Sequence, residues 1–123
     1  SVVNLTSMNY TINKIDGIAI FTLNEIRLDA NISGLVKGEF TSIVKENSVR
    51  KMVIDLSSVE SCDSSGLSTL LVANRLMGSV SGSLRIVCPS KKILTLIKIT
   101  QLDKVLKLSN SLDDAMSELK LLH

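Results

Sequence analysis

The sequence predicts an α/β fold, a single domain over residues 1–123 in which an N-terminal hairpin leads into a mixed sheet of about five strands with about four helices. Three observations predict it. Tyr10 to Leu23 reads as two strands about Asp16-Gly17, strand-length apolar runs then alternate with segments of helical period, and 123 residues supply one core but not two domains. Only 2% of the residues are aromatic (Tyr10, Phe21 and Phe40), so that core must be aliphatic. Residues 1–8 are expected to be poorly ordered, as chain ends usually are.

Each element follows from its own pattern. Tyr10 and Ile12 alternate with Thr11 and Asn13 as in a half-buried strand, and Asp16-Gly17 offers the positive φ values of a tight hairpin turn. Ile18 to Leu23 is apolar on both faces, which makes it a central strand. Ile32, Leu35, Val36, Phe40, Ile43 and Val44 share one helical face, giving a helix from about Ala30 to Glu46 with Asp29 as its N-cap. Gly34 and Gly38 within it share a face and would let another backbone approach. Met52 to Leu56 reads as a central parallel strand. Ser64 to Met77 reads as a helix with Leu67, Leu70, Leu71 and Asn74 inward, and 78–82 as a loop. Leu84 to Cys88 is the next strand, Lys91 to Ile99 a short helix and Val105 to Leu108 a last strand. Ser111 caps a terminal helix with Leu112, Ala115, Met116 and Leu119 on one face.

Composition removes several classes of function. The single histidine is His123, at the chain end, so a Ser-His or Cys-His catalytic pair lacks its base. Cys62 and Cys88 are far apart in sequence and outside any C-x-x-C pattern, so no metal site and no cofactor are expected. They read as small apolar residues of a reducing cytosol, with a disulfide between them also compatible with the sequence. The formal charge is +2, and basic pairs such as Arg50-Lys51 and Lys91-Lys92 are isolated, which reads as solvated surface rather than a nucleic-acid stripe. No apolar run reaches the roughly 18 to 20 residues that span a bilayer. The first residues lack the order of a signal peptide, so a cytoplasmic location without membrane insertion is expected, although a chain starting at Ser1 is also compatible with a trimmed leader. The glycosylation-like patterns at Asn4, Asn9 and Asn31 are read as chance.

One stretch carries chemistry. Val53-Ile54-Asp55-Leu56-Ser57 leads through Val59-Glu60-Ser61-Cys62 to Asp63-Ser64-Ser65-Gly66-Leu67, a polar turn at a strand-to-helix corner. Asp63 is a natural N-cap, and Ser64 and Ser65 then occupy the first helical positions, where unpaired N–H groups and the helix dipole favour negative charge. Alone, Asp-Ser-Ser-Gly is what any helix start uses.

Taken whole, the stretch resembles the signature of the STAS domain, found in bacterial anti-sigma factor antagonists and in sulfate-transporter tails. There Asp-Leu-Ser is followed eight residues later by Asp-Ser-Ser-Gly-Leu. Leu23 to Ala30, Gly82 to Val87 and Ile99 to Leu106 resemble other passages of the family, in order, while Gln101 and Ser68 stand where many members carry Gly. The resemblance implies a non-enzymatic switch protein, a monomer or weak dimer, that binds a kinase anti-sigma factor while Ser64 is unmodified. Ser64 corresponds to the serine that the kinase phosphorylates and a serine phosphatase restores. Asp29, Asp63, Ser64, Ser65 and Gly66 are the implied partner-binding residues. The alternative implied by the same resemblance is a regulatory subunit of a membrane transport or lipid-trafficking complex, in which Ser64 need not be modified.

Overall fold

The computed structural model describes residues 7–46 and 48–122. His123, Asn4 and most of the segment expected to be poorly ordered lie outside the described residues. Seven strands and four helices follow one another as β1 (Tyr10–Ile15), β2 (Ile18–Leu23), β3 (Arg27–Leu28), α1 (Ser33–Glu46), β4 (Lys51–Asp55), β5 (Ser61–Cys62), α2 (Ser64–Ser79), β6 (Ser83–Val87), α3 (Lys91–Ile99), β7 (Leu108–Ser109) and α4 (Leu112–Lys120). The main sheet has five strands in the order β1-β2-β4-β6-β7, and β3 and β5 form a separate parallel pair. β1 and β2 are antiparallel, whereas β2, β4, β6 and β7 run parallel. The mixed α/β architecture expected from the sequence is therefore present.

The hairpin works as its residues dictate: Asp16 and Gly17 have φ of 53° and 77°, the left-handed values a two-residue turn needs. β2 is buried on both faces because helices cover both. Ala19, Phe21 and Leu23 join Phe40 of α1, Leu70 of α2 and Ile97 of α3 in the larger core. Ile18 and Ile20 meet Ala115 and Leu119 of α4 in the smaller one. Phe21 stacks on Tyr10 at 5.4 Å and meets Phe40 edge-on at 5.0 Å, so the few aromatics are pooled at one point.

Three expectations need correction, and the alternative left open for the cysteines is decided. Asp29 does not cap α1; its carbonyl accepts from Ile32 and Ser33 and its carboxylate from Asn31, closing a turn that delays the helix to Ser33. Gly34 and Gly38 bring no backbone close, for a Cβ at either would meet nothing within 4 Å. Val105 to Leu108 is not the last strand; a 3-10 turn at Leu102–Lys104 carries the chain past it and β7 is Leu108–Ser109. Cys62 and Cys88 are free thiols, Cys88 buried and Cys62 half-buried. Gln101 has φ of 60°, which explains in steric terms why glycine suits that position.

Candidate functional site

The corner expected to carry function is assembled by backbone pairing. β4 ends at Asp55, a buried carboxylate whose Oδ1 accepts from both the amide (3.0 Å) and the hydroxyl (2.5 Å) of Ser57. That turn explains the Asp-Leu-Ser of the motif: it is structural and lifts the chain off the sheet. Glu60 and Ser61 then donate to the carbonyl of Ile26, and β5 pairs with β3 through Leu28 and Cys62. The Asp63 amide donates to the Leu28 carbonyl at 3.3 Å. The start of α2 is thereby fixed against the loop that precedes α1.

Asp63 is the N-cap of α2, with Oδ1 accepting from the Gly66 amide at 2.8 Å. Its Oδ2 accepts from the Ala30 amide at 3.3 Å, so one carboxylate ties the 29–31 turn to the helix start. Gly66 is buried, and its role is packing: a Cβ there would lie 2.5 Å from Cys62 Sγ and closer still to the Leu28 carbonyl oxygen. Ser64 is exposed and Ser65 half-buried, the latter's carbonyl accepting from Ser68 Oγ at 2.8 Å. Asp63 occupies the Gly66 amide with its side chain and the Leu67 amide with its carbonyl. The Ser64 and Ser65 amides belong to the first turn, where a helix leaves N–H groups without intrahelical partners and attracts anions.

The electrostatics of the corner are acidic. Burial, and next the charge of Asp63, push the Cys62 thiol up to about 12, with Cys88 and Asp29 acting in the same sense. Cys62 is thus a neutral packing group rather than a nucleophile. Among the described residues no three His, Cys, Asp or Glu side chains gather as a metal site would require, and no helix is long and apolar enough to cross a membrane.

Of the residues singled out from sequence, the structure brings Asp29 beside Asp63 and sets Ser64 at the rim, whereas Gly66 is turned inward. Two recesses flank this corner. One, of about 380 Å³, lies between β5 and α3 and is bordered by Cys62, Lys92, Leu96 and Ile99; the other, of about 520 Å³, is bordered by Ile26, Arg27, Asp29 and Asn31. Ile99 and Ile26 are 73% and 62% exposed, unusual for isoleucine, and sequence reasoning missed both. The available signal was an apolar residue off the buried face of its helix and another in a polar loop.

The fold is an α/β domain that presents a capped helix start at one corner of its sheet. The chain belongs to the STAS domain family, whose signature covers residues 9–115. A protein of Thermotoga neapolitana described as a candidate anti-sigma factor antagonist is 30% identical over 70 residues, 57% of this chain and 62% of the relative. That match spans less than two thirds of the relative's length. The crystal structure of another such candidate, from Thermotoga maritima, superposes with a TM-score of 0.83 at 24% identity, covering 90% of this chain and 94% of that one. The Bacillus cell fate determinant SpoIIAA, in its phosphorylated form, superposes with a TM-score of 0.69 at 14% identity over 89% of this chain and 98% of its own. At these identities the two structures speak for the fold alone.

Proposed function

We propose that this protein is an anti-sigma factor antagonist: a non-enzymatic cytoplasmic module that sequesters a serine-kinase anti-sigma factor while Ser64 is unmodified and releases it once Ser64 is phosphorylated. A serine phosphatase would reset the switch. The observation that carries this reading is the exposed Ser64 as the first residue of α2, next to the N-cap Asp63, in a corner whose Asp29 and Cys62 each border a recess. Asp29, Asp63 and Ser65 form the partner-facing surroundings of that hydroxyl, and Gly66 sets their position from behind. The similarity to a candidate antagonist of Thermotoga neapolitana, and the existence of a phosphorylated form of SpoIIAA, support the same reading.

Magnitudes make the switch workable. A phosphoryl group adds about −1.5 to −2 charges and three acceptor oxygens. Two unit charges about 4 Å apart interact by about 4 kcal/mol at an effective dielectric near 20. Half of that, felt from one partner carboxylate, weakens binding about thirtyfold. The test begins with capture of partners from the native cell on unmodified protein, then incubates the purified kinase and ATP with Ser64→Ala and Ser65→Ala. Label should vanish in Ser64→Ala and persist in Ser65→Ala, and the labelled parent should bind about thirtyfold more weakly. Label persisting in Ser64→Ala, or capture of a membrane transport complex with no labelling at all, refutes the assignment.

A further inference from the structure

β1 is the outer strand of the sheet, and the hairpin fixes the phase of its backbone. In a two-residue turn the flanking pair, here Ile15 and Ile18, exchanges both hydrogen bonds, and bonded pairs recur at every second residue. The Asn24 amide donates to the Asn9 carbonyl at 2.9 Å, continuing this phase at the strand's other end. Thr11, Asn13, Ile15 and the Asn9 carbonyl therefore point at β2, while the Asn9 amide donates to Glu25 Oε2 at 2.7 Å; Tyr10, Ile12 and Lys14 point their backbone groups at the outer edge, which pairs with no strand among the described residues. Sheets usually blunt such an edge by shortness, proline, a bulge or charged side chains, and Lys14 is the one such device that β1 carries. β7, at the far edge, is two residues long, whereas β1 has six, no proline and an unbroken register.

The side chains of Tyr10, Ile12 and Lys14 stand opposite Leu23, Phe21 and Ala19, on the face covered by α1. α1 does not cover it fully. A cavity of about 320 Å³ remains between them, bordered by Ile12, Lys14, Glu39, Ile43 and Glu46, and Ile12 is 42% exposed. Glu39, on α1, lies near enough to Tyr10 to hold its hydroxyl above the usual phenol range.

We infer that two copies of this chain pair antiparallel through β1 about a two-fold axis at Ile12, joining two five-stranded sheets into one. With the axis there, Ile12 meets the second copy's Ile12 and Tyr10 lies opposite the second copy's Lys14. All the open-edge backbone groups then find partners on the matching face. Each lysine arrives opposite Tyr10, at the end of the strand where Glu39 borders the cavity beside Ile12, so the symmetry brings two Lys14-Glu39 pairs within reach. Moving the axis to Asn13 pairs only Ile12 and Lys14 and sets Tyr10 opposite the turn residue Asp16, so its edge groups lose their strand partner. Backbone pairing thus selects the register, and charge complementarity the occupant.

Sedimentation equilibrium of the whole chain should show a reversible dimer with a dissociation constant between about 1 µM and 1 mM, as befits an interface below about 1,200 Å². Lys14→Glu or Glu39→Lys alone should weaken it about tenfold, and the double variant should recover to within about threefold of the parent. Circular dichroism checks that each variant is folded. Amide exchange adds a second signature: Tyr10, Ile12 and Lys14 should gain protection as concentration rises, while Thr11 and Asn13 are protected throughout. A monomer across the whole range, indifference to the single reversals, or a folded double variant that stays weak would overturn the proposal.

Discussion

At Gly66 the backbone of α2 passes so close to β3 that a side chain has no room, and the neighbour in the way is a carbonyl oxygen rather than a flexible chain end. Gly66→Ala gains about 1 kcal/mol of helix propensity. It loses more, because β3 must move or α2 must tilt, so a net destabilisation of about 2 kcal/mol is expected in urea unfolding. Gly34→Ala and Gly38→Ala, in open space on α1, should each stabilise by about 1 kcal/mol. Equal effects at all three positions would contradict the close approach. The contrast also shows what was legible at this scale. Asp63 and the exposure of Ser64 were readable because capping is a local transaction between a side chain and the next three amides. Which glycine faces a backbone was not, since that depends on residues 38 positions away in sequence, namely Leu28 for Gly66.

Elements were legible in proportion to their length. α3 was expected at Lys91 to Ile99 and lies there, because its period and the Ser90 cap agree. β3 and β5 escaped notice, since two residues carry no alternation and their pairing is made by Leu28 and Cys62 from distant segments. Those two short strands nonetheless hold the candidate site in place. α4 shows which interaction anchors an element. Among the described residues it lies alone on its face of the sheet, with Ala115 and Leu119 fully buried against Ile18, Ile20, Val53 and Val87. Glu118 of the same helix accepts from Arg85 Nε at 3.1 Å and Ser109 Oγ at 2.7 Å, but is 43% exposed and screened by solvent. Leu119→Ala should therefore cost about 3 kcal/mol. Glu118→Gln, which keeps the acceptor, should cost less than about 1 kcal/mol. Thermal unfolding of both variants measures the order, and a larger loss for Glu118→Gln would mean that the ion pair holds α4.

At the scale of the whole molecule the question is whether a switch at Ser64 acts by changing the fold or by changing the surface. A phosphate there sits at a helix start, where the dipole and the Ser64 and Ser65 amides favour it by about 0.3 to 1 kcal/mol. Asp63, one residue away, and Asp29, which Ala30 ties to it, oppose it by repulsion through water. The two effects are of similar size and opposite sign. Nothing of the core is disturbed, because Ser64 is exposed and the buried line of α2 runs through Leu67, Leu70, Ala73 and Met77. Net change should stay within about 1 kcal/mol, which for a domain of this size moves the melting temperature by less than about 6 °C. Circular dichroism spectra of the phosphorylated protein and of Ser64→Asp should superpose on the parent. The pair of β3 and β5 is the place to look for a contrary result, since it is the thinnest support of the corner and both acids attach to it. Loss of amide protection at Leu28 and Cys62 on phosphorylation, with the main sheet unchanged, would mean that the modification works by releasing the 29–31 turn from Asp63 rather than by charging a rigid surface.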